Sequence, residues 1–129
     1  MKLDVKALIA KLVNTPMIVE EGTDGVWTYK KWSNGEYEAI YTSSMALNAG
    51  TAWWTGGYFH KSTYGLALPS FALDWYLKSA QKSDAILSFC VGASIESDGL
   101  HFYWVNSGSA AVSGSNFTNT IITIVGKWK

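Results

Sequence analysis

At 129 residues the chain is long enough for one hydrophobic core and too short for two. Aromatic residues make up 15% of it, seven of them Trp, and only 16% is charged, which excludes disorder and suits β-structure and sugar or protein surfaces. Ten Lys balance ten acidic residues and there is no Arg, so neither a basic groove nor a guanidinium fork is available and no nucleic-acid partner is expected.

No apolar run reaches the ~18–20 residues of a membrane span. Lys6 and Lys11 interrupt the apolar stretch that a signal peptide would need. A soluble chain without membrane insertion is expected, and a piece of a longer protein is compatible with it. The single Cys90 allows no intrachain disulfide and reads as a buried, inert thiol.

In chain order, Lys2 to Val13 has helical spacing, with Val5, Leu8 and Leu12 on one stripe that Ile9 widens, and Asn14-Thr15-Pro16 ends it. So short a helix needs a partner. Packing on its own domain and bundling with copies from other subunits both supply one, and Val5, Leu8 and Leu12 are candidate subunit-interface residues. The chain divides into this helix, 1–16, and a β domain, 17–129.

Thr23-Asp24-Gly25 marks a turn, and Val26 to Thr42 reads as a β-hairpin closed by a two-residue type I′ turn at Asn34-Gly35. That loop sets Trp32 opposite Tyr37, Lys31 opposite Glu38, Tyr29 opposite Ile40 and Thr28 opposite Tyr41. One face then carries Trp27, Tyr29 and Ile40, the other Trp32, Tyr37 and Tyr41, so both faces ask for cover. A second layer of the same chain and an oligomer interface are both open, and Trp32, Tyr37 and Tyr41 join the candidate interface.

Ser43 to Thr51 reads as a connection. Ala52 to Lys61 places aromatic residues beside paired glycines, the mark of a bulged strand or an aromatic loop. Trp53, Trp54, Tyr58, His60 and Tyr64 are the candidate ligand-binding residues, because exposed rings suit sugar faces and protein surfaces. Core or interface packing of the two tryptophans is the competing reading.

Phe71, Leu73, Trp75 and Leu77 alternate with Ala72, Asp74, Tyr76 and Lys78 as in a one-sided strand, followed by a polar turn at Ser79 to Asp84. Ala85 to Ile95 and Leu100 to Asn106 form a second hairpin through Asp98-Gly99. Its core stripe is Val91, Ala93, Ile95, Phe102 and Trp104, and its other face holds Cys90, Gly92, Ser94, Tyr103 and a Glu96/His101 cross-strand pair. Ser107 to Ser115 is a loop, and Thr120 to Lys129 a last strand. The fold class expected is mainly β, an antiparallel β-sandwich of jelly-roll type behind one short N-terminal helix.

His60 and His101 lie in no nucleophile motif, and no His or Cys spacing marks a zinc site, so no catalytic residue, metal or cofactor is expected and the chain is not read as an enzyme. Glu36 and Glu38 share a strand face at a tempting spacing, yet beside the turn they read as solvated edge charges. Asn116-Phe117-Thr118 matches a glycosylation acceptor that carries no weight without secretion.

Ile18-Val19-Glu20-Glu21-Gly22, followed by Gly25-Val26-Trp27-Thr28-Tyr29-Lys30-Lys31-Trp32-Ser33-Asn34-Gly35, and the terminal Gly126-Lys127-Trp128-Lys129 together resemble the C-terminal domains of tailed-phage and prophage tail-fibre, minor structural or baseplate-associated proteins. Leu66-Ala67-Leu68-Pro69-Ser70-Phe71 is similar to that group's middle-strand approach. Lys127 stands where the group commonly has Arg, and Glu36-Tyr37-Glu38-Ala39-Ile40-Tyr41 replaces its usual Gly-aromatic sequence. The resemblance implies a homotrimeric β-sandwich at a fibre tip, located in the virion tail or a prophage-encoded particle. The helix would end a stalk, and the domain would attach to a bacterial cell-surface saccharide or protein. A monomeric carbohydrate-binding module and a polysaccharide depolymerase are the alternatives.

Overall fold

The computed structural model describes the backbone of residues 4–54, 57–62, 64–82, 88–106 and 113–129, and their side chains except at 10, 12–14, 44–54, 57–61, 82, 88–89, 105–106 and 113–119. The helix α1 spans Val5–Asn14. Asp4 caps it, its carboxylate accepting from the Ala7 amide at 3.0 Å, and the Thr15 amide and hydroxyl both return to the Lys11 carbonyl before Pro16 breaks the helix. Val5, Leu8 and Ile9 are about half exposed, at 55%, 45% and 54%, and among the described residues α1 touches no strand. The Leu12 side chain lies outside the described residues.

Among the described residues eight antiparallel strands follow: β1 Ile18–Asp24, β2 Trp27–Trp32, β3 Glu36–Trp54, β4 Gly57–Ser62, β5 Tyr76–Lys82, β6 Ser88–Glu96, β7 Gly99–Asn106 and β8 Ser113–Lys127. The mainly β, antiparallel class with one short helix is therefore what the structure shows. No helix among the described residues is long and apolar enough to cross a membrane.

The long strands β3 and β8 organise the rest. They pair from Glu36↔Lys127 to Asn48↔Ser113, so the stretch expected to be a connection at Ser43 to Thr51 is strand. The first half of β3 also holds β2 and, through it, β1, while β8 carries β5 on its other edge. The second half of β3 holds β4, then β7 and β6. One core takes residues from both halves: Trp27, Tyr37, Ala39 and Tyr41 from the first, Leu100, Phe102 and Trp104 from the second, with Ile122 and Ile124 of β8 between them.

The segment from Tyr64 to Trp75 covers this core. It forms no strand until Tyr76, contrary to the alternation expected at 71–77: Leu73 is exposed while Phe71 and Trp75 pack inward. Phe71 lies 4.6 Å from the Tyr29 ring and 5.2 Å from that of Tyr37, Trp27 Nε1 donates to the Ala67 carbonyl at 2.7 Å, and the Tyr37 hydroxyl donates to the Asp74 carbonyl at 2.8 Å. Buried polar tips thus find backbone acceptors in the segment itself. The turn expected at Ser79 to Asp84 is overruled as far as Lys82, because β8 supplies a ladder for β5.

The first hairpin departs from its expected register by one residue. Its loop has three residues, Ser33 to Gly35, in which the Gly35 amide donates to the Trp32 carbonyl, Gly35 adopts φ +90°, and the Asn34 side chain accepts from the Glu36 amide. This is a turn followed by a left-handed glycine rather than a two-residue type I′ loop. Thr28 now faces Ile40, Tyr29 faces Ala39 and Lys31 faces Tyr37. One slip moves a whole strand's side chains to the opposite sheet face. Tyr37 and Tyr41 therefore join Trp27 and Tyr29 inside, at 1% and 4% exposure, and the expectation that they form a subunit interface is corrected: their own chain buries them.

Candidate functional site

The same register places Lys30, Trp32, Glu36, Glu38 and Ile40 together on the outer face of the hairpin. Across β3, Val125 and Lys127 of β8 stand opposite Glu38 and Glu36, and across β8, Tyr76 of β5 stands opposite Val125. Of these, Trp32, Glu36, Glu38, Val125, Lys127 and Tyr76 line a groove of about 610 Å³. The half-buried Trp32 and the exposed Tyr76 stand on its lining with Glu36, Glu38, Lys78 and Lys127, over Val125 and Gly126. Pro16, just after α1, completes the lining.

The volume is within the range of small-molecule sites, and the groove pairs flat apolar rings with both signs of charge. Lys78 Nζ binds Glu38 Oε2 at 2.7 Å across the groove. An exposed pair of this kind is worth little to stability, about 0–1 kcal/mol, which leaves both groups able to exchange partners with a polar ligand. Aromatic faces that stack on an apolar ring face beside carboxylates that accept hydroxyls are the chemistry a saccharide needs.

The backing of the groove is tied by hydrogen bonds. Burial and the nearby Asp74 carboxylate push the Tyr37 phenol up to about 12, so it stays a neutral donor to the Asp74 carbonyl. The Asp74 carboxylate accepts from the Lys127 amide at 2.6 Å, and the Lys127 carbonyl accepts from the Leu73 amide. At the far end Trp128 donates from its amide to the Gly35 carbonyl and from Nε1 to the Trp32 carbonyl. The chain terminus thereby clamps the hairpin turn. Lys31, inside the rim, lies over Phe71, Trp128 and Tyr29 and pairs with Glu20, whose carboxyl that contact holds below its usual range.

Of the candidate ligand-binding residues, Trp53 and Trp54 end β3 and Tyr58 and His60 lie on β4, so the aromatic stretch is a bulged hairpin. Those four side chains lie outside the described residues. Tyr64 is exposed at the opposite side of the core segment, beside Asp24 and Leu66 and away from the groove. Trp32, a candidate interface residue, lines the groove. Tyr76, Lys78 and Lys127 were not singled out by sequence, although the shared strand parity of Glu36 with Glu38 and of Tyr76 with Lys78 was legible. What brings the two pairs together is β8 between them.

Comparison with known proteins finds no matching family model, no matching curated protein and no matching solved structure.

Proposed function

We propose that the chain is a receptor-binding-type structural domain of a phage or prophage tail fibre, mediating attachment to a bacterial cell surface by binding a saccharide in the outer-face groove. The observation that carries this reading is the groove itself, two aromatic side chains beside two carboxylates and two lysines on the outer face of the sheet. A second observation supports the fibre context: the hairpin and the terminal Gly126 to Lys129, which are distant in sequence and together resemble tail-fibre domains, meet in space through Trp128 and Gly35. The exposed apolar stripe of α1 would be covered by the same helix of the other subunits in a homotrimer, and the jelly-roll-like layering of such a tip would come from one sheet bent over its core.

A monomeric carbohydrate-binding module is the second reading, favoured by the burial of Tyr37 and Tyr41 within their own chain. Solution mass by light scattering together with binding to bacterial surface polysaccharide separates the two. A trimer mass, with affinity falling about tenfold or more, roughly 1.4 kcal/mol, in Trp32→Ala and Tyr76→Ala, is expected. A monomer with the same losses establishes the module; variants that bind as well as the parent end both readings.

A further inference from the structure

At the other end of the sheet, the β6–β7 turn gathers Glu96, Asp98 and His101, with one donor atom of each lying within 4.8 Å of the others. His101 Nε2 lies 2.7 Å from Asp98 Oδ1 and 3.7 Å from Glu96 Oε2. We propose that this trio is a binding site for a divalent transition-metal ion of the zinc type, independent of the groove.

Each of the three donors is oriented by a partner outside the trio. The imidazole of His101 is only 4% exposed, and its Nδ1 lies 2.9 Å from the Ser62 carbonyl oxygen. The Ser62 hydroxyl lies 3.2 Å from the same nitrogen, and Nε2 is directed at the two carboxylates and shares a hydrogen bond with Asp98 Oδ1 at 2.7 Å. A metal ion at this place would take over the position of the proton shared between Nε2 and Asp98 Oδ1. Asp98 Oδ2 accepts from the Gly65 amide at 3.0 Å, which turns Oδ1 inward, and Glu96 Oε1 accepts from the Tyr103 hydroxyl at 2.9 Å, which does the same for Oε2. Metal-binding histidines and carboxylates carry such supports as a rule.

The fit is also one of size and charge. Tetrahedral zinc with bonds of about 2.0–2.2 Å puts its ligand atoms about 3.3 Å apart. The observed separations of 2.7 and 3.7 Å bracket that value, and the two carboxylates are more exposed than the imidazole. Two carboxylates and a neutral imidazole neutralise a divalent ion, and water takes the fourth position. Nitrogen with oxygen donors selects zinc-like ions over calcium or magnesium, which prefer oxygen alone. Only the metal–ligand bonds form; a proton held at Nε2 leaves to solvent.

The approach of Gly65 is what builds the site. A Cβ there would sit 2.6 Å from the Asp98 carbonyl oxygen, so the segment can dock on the turn only with glycine at that position. The docking is completed by paired hydrogen bonds between Leu66 and Leu100.

Titration calorimetry of the chelator-stripped protein with zinc chloride tests this. One saturable equivalent at micromolar zinc, undiminished by excess magnesium, is expected. Affinity should fall at least tenfold in Asp98→Asn, whose side chain is exposed enough to leave folding intact, and about tenfold in Tyr103→Phe, which removes only a supporting hydroxyl. Cobalt(II) in place of zinc should give the visible bands of a tetrahedral site, and His101→Gln should abolish them. No saturable zinc uptake, or a folded Asp98→Asn that loses less than tenfold, overturns the site.

Discussion

Two hairpins, β2–β3 and β6–β7, are made of the same materials, aromatic and β-branched strands around a glycine turn, and they differ in how a shift of the turn matters. At β2–β3 the loop takes in Ser33, and the register moves by one residue, from Lys31 opposite Glu38 to Lys31 opposite Tyr37. At β6–β7 the loop is Ser97-Asp98 rather than Asp98-Gly99, so His101 stands opposite Ser94 instead of Glu96, a move of two. Side chains alternate with period two, so an odd shift exchanges the faces and an even one preserves them. Phe102 and Trp104 accordingly lie in the core as their spacing indicates, and Ser94, His101 and Tyr103 share the outer face. On the first hairpin, by contrast, the pattern of one apolar face opposite another dissolves into an inner face of Trp27, Tyr29, Tyr37 and Tyr41 and an outer one that is the groove.

The even shift preserves only as much as the strand stays regular. The bulge between Cys90 and Gly92 turns Val91 out to solvent, and Ile95, past the edge of the covering segment, is also exposed. Cys90 itself is half-buried and donates to the Gly92 carbonyl, and burial raises its thiol, in keeping with an inert role.

The largest effect is expected at the first hairpin. Trp27→Ala, on the inner face, should cost about 3–5 kcal/mol in urea denaturation, while Trp32→Ala, on the outer face, should cost under about 1.5 kcal/mol. Equal losses would mean that both faces are buried after all.

A smaller effect is expected at Tyr37. Phe at this position keeps the ring and removes the bond to the Asp74 carbonyl, for a loss of about 1–3 kcal/mol. The same phenol sharpens the assignment of faces by its titration. Its folded value, raised by burial, contributes stability that is complete below the ordinary tyrosine value of 10 and lost as pH rises through about 12. Ultraviolet titration should show a late-ionising tyrosine that disappears in Tyr37→Phe; a full complement ionised near pH 10 would place Tyr37 on the outside.

The smallest effect is on the second hairpin. The hydrogen bond from His101, then that from the Gly65 amide, holds the Asp98 carboxyl below its ordinary 3.8. A depressed folded value contributes stability that is present above 3.8 and lost as pH falls from there through the lower folded value. Denaturation midpoints should therefore fall less steeply from roughly pH 4 to pH 2 in Asp98→Asn than in the parent. Parallel acid limbs would mean that Asp98 is held by neither His101 nor the Gly65 amide.

Local sequence specifies the element types and the residues able to build a core: a helix stopped by Pro16, strands rich in Trp, Tyr and Ile, glycine turns near 35 and 99, and the inward parity of Phe102 and Trp104. Local propensity and alternation suffice for that, because they act between near neighbours. Tertiary structure alone decided the register of each hairpin, the length of β3 and the conversion of 71–75 from strand to cover, since each depends on a partner far along the chain: β8 for β3 and β5, the Gly35–Trp128 clamp for the first turn, and the Gly65–Leu66 docking for the second. Both candidate sites arise from those long-range choices. The groove needs β8 to bring Tyr76 beside Glu38, and the Glu96–Asp98–His101 trio needs Gly65 and Ser62 to aim it, which is why neither shows as a motif.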